Sequence, residues 1–193
     1  MIASVSVMAH PKRAHLFAGL RKELGDVPFA VDHGRGLWDN FKAAWRLHDP
    51  TAKYHIVVQD DARLCRSFRA RAQGFIKRVA AQRPYGFCFY YGRHRRYLAR
   101  AKENKTGVIY LEEMRWGVAM AMPVCLIEDM IAFGERERPK KAVDALLGRF
   151  LASRGIRVAY PIPSLVDHHS EEPSLVGNAS DIRRVAFRFI DGP

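Results

Sequence analysis

The segment that constrains this chain most is Tyr54-His55-Ile56-Val57-Val58-Gln59-Asp60-Asp61-Ala62. A short apolar run stops on two adjacent carboxylates. The run predicts a buried strand of about five residues. In an α/β protein such a strand delivers its C-terminal end to the ligand crevice. Two aspartates placed there repel each other and lose water, so they require a cation or hydrogen-bond donors. Two explanations follow from these residues. Both cap a helix starting near Leu64, or they hold a divalent metal.

The rest of the chain supplies alternating strands and helices. Ile2 to Met8 reads as a first strand, broken by His10-Pro11. Lys12 to Leu24 carries Leu16, Phe17, Leu20 and Leu24 at helical spacing, with Gly25 as a stop. Phe29 to Asp32 predicts a second strand, and Trp38 to Leu47 a helix ended by Asp49-Pro50. A long basic helix is expected from about Arg66 to Gln82, with Phe68, Phe75, Ile76 and Val79 inward. Gly86 to Tyr91 reads as a continuous aromatic strand. Gly92 to Lys105 reads as an irregular basic loop, of a length that is usually functional. Strands are expected over Thr106 to Leu111, Trp116 to Met122 and Ile156 to Tyr160. Helices are expected over Pro123 to Phe133 and Lys140 to Ser153. This pattern predicts an α/β fold, one domain spanning 1–193, with a mainly parallel sheet and helices on both faces.

No apolar run approaches the ~20 residues of a membrane span. The N-terminal stretch reads as a strand and not as a signal peptide. Cys65, Cys88 and Cys125 form no C-x-x-C pair, so neither a zinc knot nor a disulfide framework is suggested. The expected location is the cytoplasm.

Charge narrows the partners. The net charge is +12. Twelve Lys or Arg and one acid, Glu103, lie between Arg66 and Lys105, so that stretch carries 12 − 1 = +11. Nucleic acid, an anionic membrane surface or an acidic glycan would each complement it. A solvated basic face with no specific partner would also account for it.

Familiar phosphate motifs are missing. There is no G-x-G-x-x-G, no G-x-x-x-x-G-K-[ST] and no G-x-S-x-G, which argues against dinucleotide enzymes, P-loop ATPases and α/β-hydrolases. Asp60 and Asp61 after one strand and His168 after another remain. Carboxylate oxygens plus one imidazole suit Mn²⁺ or Mg²⁺ better than structural zinc. So few protein ligands would leave positions open for a diphosphate. Pro161, Pro163 and Ser164 form a rigid stretch that would aim His168.

Val57-Val58-Gln59-Asp60-Asp61-Ala62, followed by Leu64 and Phe68, resembles a segment of GT-A-fold glycosyltransferases, especially the lipooligosaccharide galactosyltransferase-like group. Pro163-Ser164-Leu165-Val166-Asp167-His168, with Pro173-Ser174-Leu175-Val176-Gly177, is similar to the C-terminal segment of small bacterial and phage-encoded members. His10-Pro11-Lys12-Arg13 after the first strand is similar to the family's nucleotide-binding start. The resemblance implies a GT-A-like (Rossmann-like) fold, a nucleoside-diphosphate-sugar donor such as a UDP-sugar, and a divalent cation. By position, Asp61 is the metal ligand, His168 the second protein ligand, and Asp60 the residue touching the donor ribose, or the metal through water. Gln59 departs from the family's usual acid.

Glycosyl transfer needs a neutralised diphosphate and a deprotonated acceptor hydroxyl. Arg13, Lys12 or Arg115 could supply the cation. Asp144, near the start of its helix, matches the place of the family's base. Its alternative role is a charge favouring a helix N-terminus. Glu112 and Glu113 are rivals, lying before Trp116-Gly117, which resembles the wall of the donor-sugar and acceptor site. Arg93, Arg95, Arg96, Arg100 and Lys102, with His94 and Tyr97, could track phosphates or stack on bases. The favoured acceptor is DNA carrying a hydroxymethylated pyrimidine, flipped out to present its hydroxyl. A lipopolysaccharide or other envelope glycan is the alternative acceptor. A non-catalytic nucleic-acid-binding protein, its aspartates serving as caps, is the alternative from another class. A nuclease lacks a third acid spaced for a two-metal site.

Overall fold

The structure, a computed structural model, describes residues 1–104, 107–137, 142–169, 172, 175 and 184–191. The order is β1 (Ala3–Ala9), a 3-10 segment (Pro11–Leu16), α1 (Phe17–Leu24), β2 (Phe29–Val31), α2 (Leu37–Arg46), β3 (Tyr54–Gln59), β4 (Ala62–Leu64), α3 (Phe68–Val79) and β5 (Gly86–Cys88). It continues with α4 (Arg95–Glu103), β6 (Gly107–Leu111), β7 (Ala119–Pro123), a short 3-10 turn, α5 (Ile127–Glu137), α6 (Val143–Ser153), β8 (Val158–Ile162) and β9 (Val166–His168).

Seven strands form one sheet in the order β2-β1-β3-β7-β5-β8-β6. β2, β1, β3, β5 and β8 run one way, while β7 and β6 run the other. The expected α/β class with a mainly parallel sheet therefore stands. Every residue of β1 is buried, as required when helices cover both faces. Ser4 and Ser6 point to one face, where Ser6 Oγ donates to Ala44 O of α2 at 2.8 Å. On the other face Phe68 and Phe75 of α3 pack edge-on against Phe89 and Phe87. α2 is held by Phe41, Ala44 and Trp45, all fully buried and spaced for one helical stripe.

His55 is the polar centre of that first face. It is fully buried, with Nδ1 2.8 Å from Ser4 Oγ and Nε2 2.9 Å from Ser6 Oγ. Burial pushes its pKa down to about 4, so the ring is neutral at pH 7.

Several expected elements change. Asp60 and Asp61 cap no helix. They form a turn into β4, which pairs antiparallel with β9, Ala62 opposite His168 and Leu64 opposite Val166. α3 starts only at Phe68, after Ser67 in the left-handed region at φ 56°. The aromatic run is strand only over Gly86–Cys88, although Phe89, Tyr90 and Tyr91 are buried beyond it. The basic loop is largely a helix, α4, in which Tyr97 and Ala101 are buried one turn apart. The first expected helix is split into a 3-10 segment and α1, and the Pro123 helix begins at Ile127 after a 3-10 turn. Thr106, Lys140, and Pro173, Ser174, Val176 and Gly177 of the C-terminal motif lie outside the described residues.

Candidate functional site

β1 and β3 are parallel neighbours and end side by side, with Met8 paired to Gln59. Their C-terminal ends deliver His10, Arg13, Asp60 and Asp61 to one place. His10 N donates to Asp60 Oδ2 at 2.6 Å. The 3-10 segment after Pro11 turns Arg13 back over the strands. Its Nη1 lies 2.8 Å from Asp60 Oδ1 and 3.1 Å from Asp61 Oδ2. All three side chains are nearly closed to solvent.

The β4–β9 ribbon brings the distal histidine in. His168 is 8% exposed, and its Nδ1 is 3.5 Å from Asp61 Oδ2, an electrostatic contact rather than a hydrogen bond. Tyr90 packs edge-on against the imidazole at 5.0 Å. Arg184 adds a second cation, 3.2 Å from Asp61 Oδ2. Its Nη2 also donates to Glu172 O at 2.6 Å. Nothing in the local sequence signals Arg184 or Glu172, because both lie in the polar tail.

Environment separates the two aspartates. Burial works against the charge of Asp61, but His168, Arg13 and Arg184 outweigh it and bring the carboxyl to about 2. Burial dominates at Asp60 and raises its pKa, opposed by Arg13 and the His10 N–H and reinforced by Asp61.

Asp61 Oδ1 and His168 Nδ1 are both buried without a hydrogen-bond partner among the described residues. One carboxylate oxygen and one imidazole nitrogen on touching residues fit a divalent cation. Among the described residues no group of three or more His, Cys, Asp or Glu is arranged to hold one.

A cavity of about 240 Å³ opens here, lined by Met8, Ala9, His10, Arg13, Asp32, Leu37, Asn40, Gln59, Asp60, Asp61, Leu175 and Arg184. Gln59, half-buried at its edge, leads toward Asp144. A Cβ added at Gly117 would lie 3.1 Å from Gln59 Nε2 and 3.2 Å from Asp144 Cβ. Glycine thus lets Gln59, residue 117 and Asp144 stand in one row. Asp144 is in the first turn of α6, and burial raises its pKa.

Trp116 adjoins this row and sits within an aromatic wall. Its ring is 5.2 Å from Tyr91, 5.9 Å from Tyr97 and 5.9 Å from Tyr160. A Cβ on Gly92 would strike the indole at 2.8 Å, so the wall closes over a glycine. Glu113 is engaged elsewhere. It accepts from Tyr97 Oη and pairs with Arg115 Nη2 at 2.8 Å, anchoring α4. Glu112 pairs with Arg157 at 3.0 Å. Lys12 is exposed and does not line the cavity.

Arg95, Arg96, Arg100 and Lys102 are exposed on α4, and Arg93 precedes it with Nε on Ala186 O at 3.2 Å. Tyr97 is 4% exposed and cannot stack on a base, against the sequence expectation. No helix among the described residues is long and apolar enough to cross a membrane.

The fold and site define an α/β protein whose strand ends carry a buried acid–arginine–histidine centre beside a cavity. No protein-family model matches the chain, and the comparison with curated proteins finds no match. Among solved structures, a CMP:2-keto-3-deoxy-manno-octonic acid synthetase complexed with CTP is similar at a TM-score of 0.44 and 11% identity. The match covers 83% of this chain and 89% of that one.

Proposed function

We propose that this protein is a glycosyltransferase that moves a sugar from a nucleoside-diphosphate sugar, a UDP-sugar by the sequence resemblance, to a hydroxyl of a polyanionic acceptor. The observation that carries the proposal is the centre at the end of β3. There Asp61 Oδ1 and His168 Nδ1 lack hydrogen-bond partners among the described residues, beside two arginines and a cavity. A centre of that composition binds a diphosphate. Arg13 and Arg184 oppose its charge directly. Asp61 and His168 would hold Mn²⁺ or Mg²⁺, which when bound supplies Lewis-acid neutralisation of the leaving group. His10 and Asp60 form the cavity wall that meets the nucleotide.

Asp144 is the proposed base. Its raised pKa makes it a stronger proton acceptor than an ordinary aspartate, and its place beside Gln59 puts it next to the cavity. In an inverting displacement Asp144 takes the proton of the acceptor hydroxyl. The hydroxyl oxygen bonds to the anomeric carbon, and the bond from that carbon to the diphosphate oxygen breaks. The electron pair leaves with the diphosphate. Trp116 forms the wall against which sugar and acceptor stack. Glu113, already paired to Arg115, is the weaker candidate.

The acceptor we favour is DNA with a hydroxymethylated pyrimidine. The exposed bases of α4 offer a row of phosphate contacts. The test is incubation with nucleotide sugars, Mn²⁺ and modified DNA, followed by mass spectrometry of the DNA. A mass increase of one hexose that disappears in Asp61→Ala is the expected result. Transfer only to a phosphorylated envelope glycan, with no binding to duplex DNA at low salt, would replace the acceptor and leave the reaction class standing. No nucleotide-sugar binding at all would overturn the reaction class.

A further inference from the structure

A second cavity, of about 360 Å³, lies between α3 and the C-terminal end of β8. Arg71, Gly74, Phe75 and Arg78 of α3 line it, with Ile162 of β8 and Leu165 just beyond. Its apolar side chains are recessed: Phe75 is 4% exposed, Ile162 2% and Leu165 6%. Arg71 and Arg78 are exposed above them. Seven residues separate the two, which is two helical turns along one face and about 10 Å. Arg71 Nε donates to Arg66 O at 3.1 Å, and the Arg78 guanidinium lies 5.4 Å from the centre of the Phe75 ring. Neither makes an ion pair among the described residues, and no acid lines the cavity among them.

Two features of α3 oppose helix stability. Its first turn holds Arg69 and Arg71 and no acid, although the positive end of a helix disfavours cations. Gly74 stands in its interior, where glycine is a poor helix former. A Cβ there would meet nothing within 4 Å, so packing does not require the glycine. Its effect is to keep the cavity open. Local choices that cost stability without a packing gain mark functional positions.

The cavity also stands in register with the proposed centre. β8 and β3 run the same way, so both end at the same edge of the sheet. Leu165 leads directly into β9, whose Val166 pairs with Leu64 and whose His168 pairs with Ala62. From Leu165 to His168 is three residues of extended chain, about 10 Å. A nucleic-acid strand covers that distance in about three nucleotide steps. A bilayer fits less well. The exposed large hydrophobics among the described residues are Met1, Leu47 and Leu175, and none lines this cavity. Its rim offers charge and nothing apolar to insert.

We propose that this cavity is a subsite for the acceptor DNA, in which Arg71 and Arg78 take phosphates and the recessed apolar floor takes a base that has left the stack. This rests on DNA being the acceptor. The cavity would hold the strand a few nucleotides from the reacting one.

The experiment is fluorescence anisotropy of labelled single-stranded DNA with the full chain over a salt series. In Arg71→Gln/Arg78→Gln the affinity at low salt should fall about tenfold or more, and the salt slope should drop by about 1.4, since two phosphate contacts are gone. Gly74→Leu fills the cavity and removes no charge. It should weaken binding about fivefold or more with the slope unchanged, while its urea midpoint stays at or above the native one. It also decides the matter if the arginine variant does not fold. Native affinity in both variants overturns the subsite and keeps DNA as the acceptor. Loss in the arginine variant with none in Gly74→Leu also overturns it, because the arginines are then part of a diffuse basic face. Failure of the native protein to bind DNA overturns the subsite together with the DNA acceptor. Should it then bind phosphatidylcholine vesicles containing phosphatidylglycerol, and lose them in these variants, the occupant is an anionic lipid.

Discussion

Arg13 Nη1 stands 2.8 Å from Asp60 Oδ1, and the two side chains are only 7% and 5% exposed. The same nitrogen reaches Asp61 at 3.1 Å. One guanidinium therefore bridges both acids that end β3. Removing it leaves buried Asp60 without a counterion among the described residues, held by the His10 N–H, while Asp61 keeps Arg184 and His168. Arg13→Met should cost about 3–5 kcal/mol, read as a fall in the urea midpoint at pH 7. Asp60→Asn in that background should recover part of the loss, because a neutral amide replaces one stranded charge. A single variant as stable as the native protein would show that the bridge carries no such weight.

The proposed metal binding by Asp61 and His168 can be read without turnover. Mn²⁺ electron paramagnetic resonance with UDP present should show a bound ion in the native protein. Asp61→Asn and His168→Ala should each weaken it by about tenfold or more. Glu113→Gln, distant from those donors in the bonding pattern, should leave it unchanged. If neither site variant alters Mn²⁺ binding, Asp61 and His168 are not its ligands.

Asp144→Asn separates binding from chemistry. Loss of the base should lower kcat about 10²- to 10⁴-fold while nucleotide affinity holds within a factor of about two. Because burial raises the pKa of Asp144, the acidic limb of the kcat profile should lie above the usual aspartate range. Activity falls as pH drops through that raised value, since only the ionised carboxylate accepts a proton. A profile flat down to pH 4 would remove Asp144 from the role.

His55 makes stability depend on pH. Its folded pKa is about 4, below the unfolded value of 6.5. The unfolded chain therefore takes up a proton before the folded one does. The contribution is fully present above pH 6.5 and is lost as pH falls toward 4, amounting to about 3 kcal/mol. His55→Gln should be less stable at pH 7, through its lost bonds to Ser4 and Ser6, yet decline less between pH 6.5 and 4. Urea midpoints at several pH values test this, and an equal decline would exclude His55 as the source.

What the sequence reveals here follows from how local each signal is. The end of β3 is legible because an apolar run and an abrupt pair of acids are neighbours in the chain. α4 is not, because only Tyr97 and Ala101 turn inward among so many cations, and two small signals one turn apart do not outweigh the charge. β4 escapes notice for a different reason. Three residues, Ala62–Leu64, become strand only because Val166–His168 arrives from the far end of the chain. Arg13 is legible as a candidate cation, but its bridge across Asp60 and Asp61 is a tertiary fact.

The pairing of β4 with β9 also has a consequence in time. The acids of the centre leave the ribosome with the first three strands of the sheet, whereas His168 and Arg184 follow 107 and 123 residues after Asp61. Until then Arg13 and the His10 N–H are the partners of the site that Asp60 and Asp61 can reach. A nascent chain halted before β9 would hold all seven strands of the main sheet, with β4 unpaired and no imidazole beside the two carboxylates. The complete centre therefore forms only after β9, and ribosome-stalled chains of increasing length should gain the proposed nucleotide binding only once β9 has emerged.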